Sequence, residues 1–111
     1  MKAQMFNHSE WVTETNPFKL RNKYTELLKD SGFGILSFVE YNFEPQGYTA
    51  LWLLSESHFA IHTFPEENKS YIELSSCIEK QYLKFMDLND SSLEAEVSSI
   101  KEDLESVQFS K

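Results

Sequence analysis

The chain has 111 residues, enough for one domain with a real core and too few for two. Its formal charge of −8 excludes the basic surface that nucleic-acid phosphates require, and 41% hydrophobic and 14% aromatic residues exclude a disordered chain. No apolar run approaches the roughly 20 residues needed to span a bilayer, so no membrane association is expected. The only cysteine is Cys77, so no internal disulfide can form. "MKAQMFNHSEWV" lacks the apolar core of a signal peptide. A cytoplasmic location is the expectation.

In chain order, "QMFNHSEWVTET" (4–15) is a candidate first strand. Residues 17–30 are predicted to be helical. Asn16 is a good N-cap, Pro17 takes the first helical position where its missing N–H costs nothing, and Gly32 follows the end. Leu20, Tyr24, Leu27 and Leu28 form the apolar stripe. "FGILSFVEYNF" (33–43) is rich in β-branched and aromatic residues and reads as a strand ending near Phe43. "EPQG" (44–47) is a turn. "YTALWLL" (48–54) is the second clear strand, its near-continuous apolar character predicting burial on both faces. "HFAIHT" (58–63) is the third, "PEENKS" (65–70) turns the chain, and "YIELSSC" (71–77) alternates as a fourth strand with Tyr71, Glu73, Ser75 and Cys77 on one face. "EKQYLKFMDL" (79–88) is compatible with either a helical turn or an extended segment. In "SSLEAEVSSIKEDLESV" (91–107), Leu93, Val97, Ile100 and Leu104 fall at helical spacing, and Ser91 with Glu94 suggests a capping box. Together these predict a single α+β domain over residues 1–111: a two-layer sandwich, an antiparallel sheet with two helices packed on one face.

The bend between the second and third strands carries Glu56, Ser57 and His58 where a tight hairpin favours Gly, Asn or Asp. Taken singly, the chemically capable residues are ordinary. A cysteine ending an apolar strand is most often a small buried hydrophobe, and a strand histidine such as His62 is most often structural. A zinc site from His58, His62 and Cys77 matches no familiar ligand spacing, so no metal is expected. No phosphate-binding glycine loop, nucleophile elbow or His-Glu-x-x-His helix is present.

The combination is more telling. Ser55-Glu56-Ser57-His58, then Ile61-His62-Thr63, Phe64-Pro65-Glu66 and Ser76-Cys77, at these intervals, closely resemble the prokaryotic S-adenosylmethionine decarboxylases. The likeness is densest over 47–77, and the layout ahead of it fits from about residue 13. The resemblance implies a lyase made as a zymogen that cuts itself between Glu56 and Ser57. The Ser57 hydroxyl would attack the Glu56 carbonyl to give an ester. β-Elimination, with His62 as base, would then release residues 1–56, and the dehydroalanine left behind would hydrolyse, with loss of ammonia, to a covalent pyruvoyl cofactor derived from Ser57. Thr49 stands where the family has a serine that assists processing. In turnover the pyruvoyl ketone would form a Schiff base with the substrate amine, and Cys77 would return a proton to the product carbon, with His62 assisting. Phe43 and Phe64 match aromatics that sandwich the adenine of S-adenosylmethionine, and Glu66 matches the carboxylate that takes the ribose hydroxyls. The product would feed spermidine, and hence polyamine, biosynthesis. The resemblance further implies a homodimer whose active sites draw residues from both protomers.

Departures from the family pattern cluster at the rim of the implied pocket: Glu67-Asn68 after the Pro-Glu, Ile78 where glycine commonly follows the cysteine, and Tyr41-Asn42 where His-Arg often precedes the aromatic. The processing set is whole. Arginine or ornithine is the alternative substrate for such a pocket, and an uncleaved regulatory binding module is the alternative of another class.

Overall fold

A computed structural model describes residues 3–93. Its elements run β1 (Phe6–Val12), α1 (Pro17–Asp30), β2 (Ile35–Asn42), β3 (Tyr48–Leu54), β4 (Ser57–Phe64), a 3₁₀ turn at Pro65–Glu67, β5 (Lys69–Ser76) and a second helix, α2, over 79–93. The strands form one antiparallel sheet in the order β1-β5-β4-β3-β2. Both helices pack on one face of it, giving the expected two-layer α+β sandwich. Among the described residues no helix is long and apolar enough to cross a membrane.

Helix α1 forms where its caps dictate. The Asn16 side chain accepts the Lys19 N–H at 3.0 Å, and Pro17 opens the first turn. At the far end the Ser31 hydroxyl donates to the Leu27 carbonyl at 2.7 Å, and Gly32, at φ +95°, turns the chain out of the helix. Leu20, Tyr24 and Leu28 are buried, with Leu27 packed at the margin of the same core. They meet Tyr48, Ala50, Trp52 and Leu54 from β3, Phe59 and Ile61 from β4, Ile72 and Leu74 from β5, and Phe85 from α2. The Tyr24, Phe59 and Phe85 rings follow one another at 5.1 and 5.6 Å, and the Trp52 indole N–H donates to Thr25 at 3.1 Å. Burial lifts the Tyr48 phenol to about 12, with the Glu40 carboxylate adding to the rise and Arg21 opposing it.

Three expectations change. Strand β3 is buried on one face only: Leu51 and Leu53 are 41% and 51% exposed, because both helices cover the other side. The segment left undecided at 79–88 is helical. It is held by Tyr82 O–H donating to the Asn7 carbonyl, Gln81 to the Gly32 carbonyl, and buried Asn89 to Glu10 at 2.8 Å. Ser91 therefore lies inside α2 and does not cap a helix. Glu94, Val97, Ile100 and Leu104 lie outside the described residues. Strand β1 is present, paired along its whole length with β5.

Candidate active site

The β3–β4 connection is a two-residue hairpin: Leu54 pairs with Ser57, leaving Ser55 and Glu56 as the turn. Glu56 has φ +59°, a conformation that glycine adopts freely and a residue with a Cβ adopts at a cost of about 1 kcal/mol. The chain thus places a strained non-glycine residue directly before Ser57. The turn is held at its first residue by the Ser55 N–H, which donates to the Gly34 carbonyl at 3.0 Å.

Glu56 presents its carbonyl oxygen to the end of β5. The Cys77 N–H donates to that oxygen at 3.4 Å and the Cys77 thiol approaches it at 3.1 Å. Cys77 is exposed, just beyond the last residue of β5, so it is not the buried hydrophobe that base rates favour. Two donors on one carbonyl polarise it toward nucleophilic attack. Ser57 follows immediately, buried, its side chain on the helix-covered face, with its hydroxyl 2.7 Å from that of buried Ser76. Glu56, Ser57 and Cys77 therefore meet at one end of the sheet.

The other expected residues lie elsewhere on the same chain. His62 is on the open face, paired in register with Thr49, whose hydroxyl is 3.0 Å from its Nδ1. It lies five positions along the extended strand from Ser57, about 16 Å, and an odd interval puts the two side chains on opposite faces. Thr49 and His62 line a shallow hollow of about 510 Å³ with Leu51, Leu53, His58 and Glu73. Phe43, Phe64 and Glu66 sit at the end of the sheet remote from Ser57. There the Gln46 side chain donates to Glu66 at 3.3 Å, tying the 43–47 turn to the 3₁₀ turn. Among the described residues no group of three His, Cys, Asp or Glu side chains is placed to hold a metal ion.

Two aromatic residues not singled out in the sequence belong to this far end. Trp11 packs against Phe64 at 5.7 Å and Tyr71 at 5.4 Å, and the Lys69 ammonium lies 4.3 Å from its ring centroid. Tyr71 in turn lies 6.4 Å from His62. The alternation of β5 grouped Tyr71 with Glu73 and Ser75 on one face, which the structure shows to be the open one; Trp11 required the β1–β5 register, which no local pattern reveals.

Residues 12–104 match the family model for S-adenosylmethionine decarboxylase. The chain is similar to S-adenosylmethionine decarboxylase proenzymes from Parasynechococcus marenigrum, 41% identical over 58 residues, and Bacillus cereus, 47% identical over 47 residues. These stretches cover 52% and 42% of this chain and 45% and 38% of those proteins, so the match spans less than half the length of these curated relatives. Among solved structures it resembles the adenosylmethionine decarboxylase of Aquifex aeolicus, with a TM-score of 0.64 over 78% of each chain at 22% identity, a likeness of fold.

Proposed function

This chain belongs to the S-adenosylmethionine decarboxylase family, and we propose that it is a self-processing, pyruvoyl-dependent decarboxylase of S-adenosylmethionine. The observation that carries the reading is the setting of the Glu56–Ser57 peptide. It lies at a left-handed hairpin residue, its carbonyl oxygen faces the N–H and thiol of Cys77, and the adjoining hydroxyl is held within the fold. Strain and polarisation both lower the barrier to attack by the neighbouring hydroxyl. That the relatives are named proenzymes accords with a chain made to be cut.

The residues present suit the group: a hydroxyl-bearing residue at 57 to become it, and a thiol beside the same peptide. A pyruvoyl group supplies the electron sink that loss of CO₂ from an α-amino acid requires. Around it, Cys77 Sγ holds the proton returned to the product carbon. His62, held by Thr49, serves as the base that removes a proton from residue 57 during splitting. Phe43 and Phe64 flank the adenine, and Glu66 takes the ribose hydroxyls.

These assignments require two chains. In one protomer Ser57 and Cys77 stand at one end of the sheet, while His62 lies some 16 Å along the strand on the other face and Phe43, Phe64 and Glu66 lie farther still. A homodimer related by a two-fold axis across the strands, with open faces together, lays one end of one sheet over the opposite end of the other, so that the partner's His62 comes over the Glu56–Ser57 hairpin. The exposed apolar side chains on that face, Val39, Tyr41, Leu51 and Leu53, are suited to such burial. The product would be the aminopropyl donor for spermidine synthesis.

The test is CO₂ release from carboxyl-labelled S-adenosylmethionine, arginine and ornithine, with Ser57→Ala as the blank. Release from S-adenosylmethionine alone is expected. Release from arginine or ornithine alone moves the assignment to a basic amino acid, and release from none removes the enzyme.

A further inference from the structure

We infer that Ser76 is a positioning residue for the self-cleavage, acting through Ser57; the inference rests on the self-processing reading above. Ser57 and Ser76 are directly opposed in the β4–β5 register, both on the helix-covered face. Their hydroxyl oxygens are 2.7 Å apart, and Ser76 is fully buried. The Ile78 N–H donates to Ser76 Oγ at 3.0 Å, and the carbonyl of the same Ile78 is the acceptor for the Ser76 hydroxyl, at 3.4 Å. With one lone pair of Ser76 Oγ taken by that N–H and its own hydrogen turned to Ile78, the remaining lone pair accepts the proton of Ser57. The direction is thereby set: Ser57 donates, and its own lone pairs stay free for attack.

The adjoining residue handles the other reactant. Cys77 offers its N–H and thiol to the Glu56 carbonyl oxygen. One short segment, Ser76 to Ile78, therefore grips the nucleophile with its first residue, the carbonyl under attack with its second, and anchors the grip with its third. The step served is an isomerisation. A bond forms from Ser57 Oγ to the Glu56 carbonyl carbon, the bond from that carbon to the Ser57 nitrogen breaks, and the Ser57 hydroxyl proton ends on the freed amine. No other reactant enters. Replacing Ser76 by alanine frees the Ser57 side chain to turn away, and a nucleophile misplaced by about 1 Å costs on the order of a hundredfold in rate.

The experiment follows fragment formation by denaturing mass spectrometry in full-length wild type, Ser57→Ala, Ser76→Ala and Ser76→Thr, each confirmed folded by circular dichroism, with and without hydroxylamine, which cleaves esters. Ser76→Ala is expected to split ten- to a hundredfold more slowly, with hydroxylamine adding no fragments because the ester itself is not being formed. Ser76→Thr, which keeps the hydroxyl, is expected to split within about threefold of wild type. A folded Ser76→Ala that splits at the wild-type rate overturns the inference alone. So does one that hydroxylamine cleaves at once, since Ser76 would then act after the ester, and so does a folded Ser76→Thr as slow as alanine. Wild type that never splits overturns the self-processing reading and this inference with it.

Discussion

Glu56 has the least comfortable backbone at the candidate active site. At φ +59° it forgoes about 1 kcal/mol that a glycine would not, and it does so in a two-residue turn where glycine is the common choice. A strained residue at the proposed cleavage bond makes physical sense if part of the cost is recovered when the bond breaks and residue 56 becomes a free chain end. Glu56→Gly, placed on a Ser57→Ala background so that nothing splits, is therefore expected to stabilise the intact chain by about 0.5–1 kcal/mol, read as an upward shift of the thermal midpoint by a few degrees. An unchanged or lower midpoint would mean that the left-handed turn carries no strain for glutamate. Ser57, His62 and Cys77 were each singled out through the resemblance, and the structure brings Glu56, Ser57 and Cys77 together while leaving His62 beside Thr49. That Ser57 and His62 point to opposite faces follows from their odd separation on one strand.

At the scale of elements, β3 shows how one strand serves two ends. Tyr48, Ala50, Trp52 and Leu54 face the helices and are buried, whereas Leu51 and Leu53 face outward. Trp52→Ala should cost roughly 3–5 kcal/mol, visible in urea unfolding, because it empties the centre of the core. Leu53→Glu should change the stability of the single chain by only about 0.5 kcal/mol while converting a dimer to monomers in sedimentation. If Leu53→Glu leaves the association state unchanged, the open face is not where chains meet. Helix α1 and strands β2 to β5 could be read closely from caps, turn residues and alternation, which are local signals. Exposure of the second face of β3 could not, since a run of leucines looks alike whether covered by a helix, by another copy or by nothing. Helix α2 was obscured for a different reason. Its inward positions include Tyr82, Phe85, Met86 and Asn89, and the last is polar, which interrupts the apolar stripe. Its packing relies on the bond from Asn89 to Glu10 in β1, a partner 79 residues away.

At the scale of the molecule, the expected site is divided between the two ends of one sheet. Glu56, Ser57 and Cys77 gather at the peptide proposed for cleavage, while Thr49, His62, Phe43, Phe64 and Glu66 lie away from it. Chains that each lack one half should therefore complement one another. Ser57→Ala and His62→Ala chains are each expected to stay whole, or nearly so, when made alone. Made together, only the His62→Ala chain should split, because its intact Ser57 can then be served by the histidine of its partner. A mixture in which neither chain splits, beside a wild type that does, would put the whole reaction within one protomer and remove the need for the dimer. The measurement that bears most directly on the account is the mass of freshly purified wild-type protein under denaturing conditions, before and after a hydrazine that labels ketones. Two chains, one ending at Glu56 and the other beginning at position 57 and gaining the label there, are the expected result; a single species of full length that takes up no hydrazine on long standing would contradict it.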